Sequence, residues 1–78
     1  MTLNVTYRYD DMNRNFHEVT RQYTVRGATP KELQENALGV VIGNVGALCQ
    51  WEAWINDCNL KPIFQATGEG DNYVVLIG

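Results

Sequence analysis

Seventy-eight residues make one domain, able to fold alone but with little spare stability, because a chain this short buries only about 60% of the surface it exposes when unfolded. Apolar residues make up 45% of the chain, which argues against disorder. Nine acidic against six basic residues give a net charge of −3, which weighs against a dedicated nucleic-acid binder, since that would normally carry a basic face.

The opening MTLNVTYRYDD has no basic n-region and no apolar h-region, so no signal peptide is expected. Its apolar residues alternate: Leu3, Val5, Tyr7 and Tyr9 share one side, and Thr2, Asn4, Thr6 and Arg8 the other. This predicts a half-buried strand over residues 2–10. A polar loop, DDMNRN, follows. Residues 16–26 predict a second strand with Val19, Tyr23 and Val25 on one face. Arg21 interrupts that face, which points to a bulge or an edge position, and the two strands should form an antiparallel hairpin.

Gly27 ends the second strand. Thr29-Pro30-Lys31-Glu32 then matches a capping box with proline at the first helical position, so a helix starts here. Helical pattern continues to about Asp57. One helix of about 28 residues would be roughly 42 Å long, whereas a compact domain of this size should be about 30 Å across. The expectation is a break between Gly43 and Gln50 and a second short helix over Trp51–Asp57. Leu60–Thr67 reads as a strand, GEGDN as a turn, and Tyr73–Gly78 as a strand apolar on both faces and therefore central or covered on both sides. The predicted fold is α+β, a single domain in the order ββα(α)ββ, with a four-stranded, mainly antiparallel sheet and helix packed on one face.

The stretch GVVIGNVGALCQW places Gly39, Gly43 and Gly46 in a spacing that is neither the dinucleotide fingerprint nor a P-loop, and it follows a helix start rather than a strand. On a continuous helical wheel, Leu33, Ala37, Val40, Val41, Leu48, Trp51 and Ile55 share the face that meets the sheet. Leu38, Ile42, Val45 and Cys49 form a second apolar seam, with the glycines on the remaining side. Such a seam is either covered within the domain or is an interface with a second copy or a target. Trp54 falls toward the glycine side, where it would be core or an interface anchor. The other aromatic residues are mostly expected in the core.

Catalytic signatures are missing. The chain has no serine, His17 is its only histidine, and nothing places His17 beside Cys49 or Cys58. The two cysteines also lack zinc-ligand spacing, and GEGDN is too short for a calcium loop. No enzyme activity, cofactor or metal is expected. Two reduced thiols suit a cytoplasmic protein, and no stretch is long and apolar enough to span a bilayer.

The carboxylates offer more. Asp10 and Asp11 lie on the first predicted hairpin tip, and Glu69 and Asp71 on the last. If the hairpins share a sheet, the tips are either solvated turns or one acidic patch that engages a basic groove, as in nucleic-acid mimicry. YRYDDMNRNFHEV followed by ATPKEL, with the small size, acidic balance, hairpin–helix–strand layout and lack of enzyme motifs, resembles the anti-CRISPR proteins that phages use against host defence. That resemblance implies stoichiometric binding to a CRISPR surveillance complex or nuclease, in the host bacterial cytoplasm. Two alternatives stay open. One is a small homodimeric regulatory or accessory protein. The other is a nucleic-acid binder that uses Arg8, Arg14, Arg21 and Arg26 with tyrosines as stacking platforms.

Overall fold

The computed structural model describes residues 1–45 and 49–78; Gly46, Ala47 and Leu48, with the expectations placed on them, lie outside the described residues. Among the described residues the elements are β1 (Thr2–Asp10), β2 (Phe16–Thr24), α1 (Pro30–Asn44), β3 (Gln50–Asn56), β4 (Pro62–Glu69) and β5 (Asn72–Ile77). The strands form one antiparallel sheet in the order β2-β1-β3-β4-β5. The fold is α+β as expected, but the sheet has five strands rather than four.

The difference lies at Gln50–Asn56, expected as a second short helix and found as β3. Trp51 and Ile55 are four residues apart, so they align on a helix as well as on a strand. The burial pattern decides for period two: Trp51, Ala53 and Ile55 are buried, whereas Gln50 and Glu52 are exposed and Trp54 only partly buried. β3 also completes the sheet. Ala53 pairs with Val5 on one side and with Ala66 on the other, so without β3 the ladders of β1 and β4 would have no common partner.

β2 and β3 run in the same direction on either side of β1, joined by the crossover that carries α1 over one face. That face holds the core: Leu3, Val5, Trp51, Ala53, Ile55, Phe64 and Ala66 from the sheet, Ala37, Leu38 and Val41 from the helix, and Val25 from the connection. Each large side chain fully buried here contributes roughly 1.5–3 kcal/mol. The opposite face carries no helix among the described residues and is mostly polar. On it, Thr6 Oγ1 and Thr20 Oγ1 share a hydrogen bond at 2.9 Å, which satisfies the buried Thr6 hydroxyl.

The helix begins where the capping box places it. Thr29, extended at φ −129° and ψ 160°, accepts a hydrogen bond at its hydroxyl from the backbone N–H of Glu32 at 3.2 Å, with Pro30 following. Thr29→Ala is expected to lower stability by about 1 kcal/mol, read as a shifted denaturation midpoint. Gly27 lets the chain pass against the backbone of Leu33, where a Cβ would collide.

The helix ends at Asn44 and the chain turns extended at Val45, within the expected break between Gly43 and Gln50. That ending dissolves the expected seam. Leu38 is buried in the core, Ile42 is exposed, Val45 is the C-cap, and Cys49 lies beyond the helix just before β3. These four residues therefore do not form one stripe. β5 also departs from expectation. It is an edge strand, not a covered central one, and its apolar side chains are largely exposed.

A candidate protein-binding surface

The register fixes which ends of the strands meet. β1 ends, β3 begins and β4 ends on the same side of the sheet, with Arg8 opposite Gln50 and Gln50 opposite Glu69. The β1–β2 turn and the β4–β5 turn therefore lie at one end. β1 and β4 are separated by β3 alone, about 10 Å from axis to axis. Asp10, Asp11, Glu69 and Asp71 are thus brought to the same end of the molecule. Arg14 is the single cation within the two turns, residues 10–15 and 69–72. α1 runs toward this end as well. Its C-terminal carbonyls add negative partial charge there, and its last turn holds no basic residue.

The four carboxylates are not equivalent. Asp11 Oδ1 accepts hydrogen bonds from the backbone N–H groups of Asn13 at 3.0 Å and Asn15 at 3.3 Å, and Asp11 Oδ2 lies 2.8 Å from His17 Nε2. The His17 contact first, and the two backbone donors after it, hold the Asp11 carboxyl below its ordinary value of 3.8. Asp11 is the keystone of its loop. The β3–β4 loop repeats the device: Asp57 Oδ1 accepts from the N–H groups of Asn59 at 2.8 Å and Lys61 at 2.9 Å. In both loops the aspartate N–H also donates to the carbonyl four residues on, and the fourth residue is left-handed, Arg14 at φ 64° and Leu60 at φ 62°. Asp-x-Asn is the shared signature, and the sequence shows it twice. Asp10, Glu69 and Asp71, by contrast, are exposed and play no such role among the described residues.

The β4–β5 turn is tied down from beneath. Gly70, buried at φ 59°, donates its N–H to the carbonyl of Cys49 at 3.0 Å and accepts at its own carbonyl from Trp51 Nε1 at 2.9 Å. Gly68 lies against the Trp51 ring, where an added Cβ would come within 2.9 Å of Cζ2.

The β1–β2 hairpin reaches further. Asp10 is two residues past Arg8, the last residue of β1 that β3 pairs, so the hairpin projects about 7 Å beyond the body before its loop begins. The molecule is accordingly elongated, 43 Å against 23 and 20 Å. Two large apolar side chains crown this finger: Met12, fully exposed, and Phe16, 83% exposed and opposite Asp10. Phe16 departs from the expectation that most aromatic residues lie in the core, and Met12 carried no expectation. The available signal was position, since both flank a polar loop at a strand end.

On the helix-bearing face of the finger, Tyr9 stacks on His17 with ring centroids 5.1 Å apart and on Tyr7 at 6.1 Å, and Arg21 Nε donates to Tyr7 Oη at 3.1 Å. Arg8 is on the other face, between Glu18 at 2.8 Å and Glu52 at 3.6 Å. The hairpin arginines therefore do not line one groove. Glu18 and Glu52 extend the acidic end onto the open face. Trp54 lies further down that face, paired with Asn4 and Gln65, and is not beside the acidic turns. His17 and Cys58 are at opposite ends of the sheet, since Cys58 is in the β3–β4 loop. No helix among the described residues is long and apolar enough to cross a membrane.

No family model, curated protein or solved structure matches this chain.

Proposed function

We propose that this protein is a non-catalytic, protein-binding inhibitor that sets its acidic end into a basic, nucleic-acid-handling groove of its target, of the kind a CRISPR surveillance complex or nuclease presents. The observation that carries this reading is the convergence of the β1–β2 and β4–β5 turns at one end of the sheet. Their carboxylates supply long-range attraction and orientation. Met12 and Phe16 supply what charge alone does not, a projecting apolar anchor that becomes desolvated on contact. A partner that normally grips phosphates would meet the carboxylates with the same lysines and arginines. Nucleic acid as the ligand is disfavoured by the same geometry, because Arg8 is held between Glu18 and Glu52 while Arg21 bonds Tyr7 on the opposite face.

The test is competition between the protein and target DNA for a purified surveillance complex at low salt, where screening is weakest. The wild type should displace DNA at about one copy per site. Asp10→Lys, Glu69→Lys and Asp71→Lys together should abolish displacement with an unchanged circular dichroism spectrum. Asp11 is left in place because its loop depends on it. Equal displacement by the reversed variant, or one molecule inactivating many targets, overturns the proposal.

A further inference from the structure

We infer that β5 is a self-association edge, through which two copies pair antiparallel about a two-fold axis at Val74 and extend the sheet from five strands to ten. This inference is independent of the role proposed for the acidic end. An edge strand directs alternate backbone N–H and C=O groups outward, a template for another strand unless charge, proline or a cover blocks it. The two edges of this sheet differ on that point. β2 carries His17, Glu18 and Arg21. β5, NYVVLI, carries no acidic or basic side chain and no proline, and Val74 is 61% and Leu76 56% exposed.

The second copy is the occupant that this strand fits. Antiparallel pairing centred on Val74 places Tyr73 opposite Val75 of the other copy on the helix-bearing face, and Val74 opposite its own equivalent on the open face. Like therefore meets like in polarity, and each apolar side chain gains a cross-strand neighbour. Charge favours the same arrangement. A chain with a net charge of −3 repels its copy, but antiparallel strands send the two acidic ends in opposite directions and leave both free. The register shift at Gln65 and Ala66 makes Leu76 the extra residue of a bulge, so the regular part of the edge is Asn72–Val75. A ladder this short buries less than the roughly 1,000 Å² of a durable interface, so the dimer is reversible. Pairing β5 with β2 of a neighbour would instead be head-to-tail and would give rings or filaments larger than a dimer.

Sedimentation of the full chain up to about 1 mM tests this. The wild type should move from 8.8 kDa toward twice that mass with rising concentration. Val74→Lys, which opposes two lysines at the axis, should remain monomeric with an unchanged melting temperature. Gln22→Lys, exposed on β2, should still dimerise. A wild type that is monomeric throughout overturns the inference whatever the variants do. So does growth past the dimer, or a Val74→Lys variant that dimerises like the wild type.

Discussion

Trp51→Ala should strip the domain of a large share of its stability and move its unfolding midpoint to markedly lower denaturant. Among the described residues Trp51 is the largest fully buried side chain, and it joins two parts of the molecule: its ring belongs to the core cluster, and its Nε1 holds the Gly70 carbonyl of the β4–β5 turn at 2.9 Å. Truncating a buried tryptophan to alanine costs about 3–5 kcal/mol. A domain of this size has about 4–12 kcal/mol of stability in total, at 0.05–0.15 kcal/mol per residue. Trp51→Phe separates the two contributions. It keeps most of the apolar volume but strands the carbonyl of a buried residue, for a loss of about 1–3 kcal/mol. Urea titration followed by circular dichroism reads both variants. An unchanged midpoint for Trp51→Ala would contradict the position of β3 in the core.

Gly39→Ala combined with Gly43→Ala should have the opposite sign and raise stability by about 1–2 kcal/mol. A helical glycine costs about 0.8–1 kcal/mol relative to alanine, less near the end of the helix, where Gly43 lies. Both glycines are solvent-facing, and a Cβ built on either meets none of the described residues within 4 Å. No close approach among the described residues therefore requires them. For a domain of this length, each 1 kcal/mol corresponds to about 4–8 °C in melting temperature, so calorimetry should register a clear rise. A double variant that melts at or below the wild-type temperature would mean that the glycines serve the conformation of the helix itself.

Much of this architecture was legible where one physical signal acted alone. Thr29-Pro30-Glu32 located the helix start, because a cap is a local hydrogen-bonding arrangement. Strict alternation from Thr2 to Asp10 located β1. The break expected between Gly43 and Gln50 is met by the helix ending at Asn44, although the 43 Å long axis would itself have accommodated about 28 helical residues. Reading failed where two signals coincided. Trp51 and Ile55 satisfy both a period of 3.6 and a period of two, and only the neighbours of Ala53, distant in sequence, choose between them. Val74, Val75, Leu76 and Ile77 look like a strand buried on both faces, yet sheet order is a property of the whole chain, and it left this strand at the edge. The acidic turns were legible as residues but not as roles. That Asp11 is spent on its own loop while Asp10 is free depends on backbone donors the sequence does not display. The exposure of Phe16 follows from the length by which β1 and β2 outrun β3.

The placement of β1 between β2 and β3 also bears on how the molecule assembles. The β1–β2 hairpin and the β3–β4–β5 meander are each built from contacts close in sequence. The ladder that unites them joins Asn4 to Trp54, 50 residues apart. Local contacts within each half can therefore form early, and closing the long loop between them is the step expected to limit the rate of folding. Substitutions within the central ladder, at Val5 or Ala53, should slow refolding. Substitutions at the periphery, such as Val75, should mainly hasten unfolding, and the two limbs of a chevron plot tell them apart.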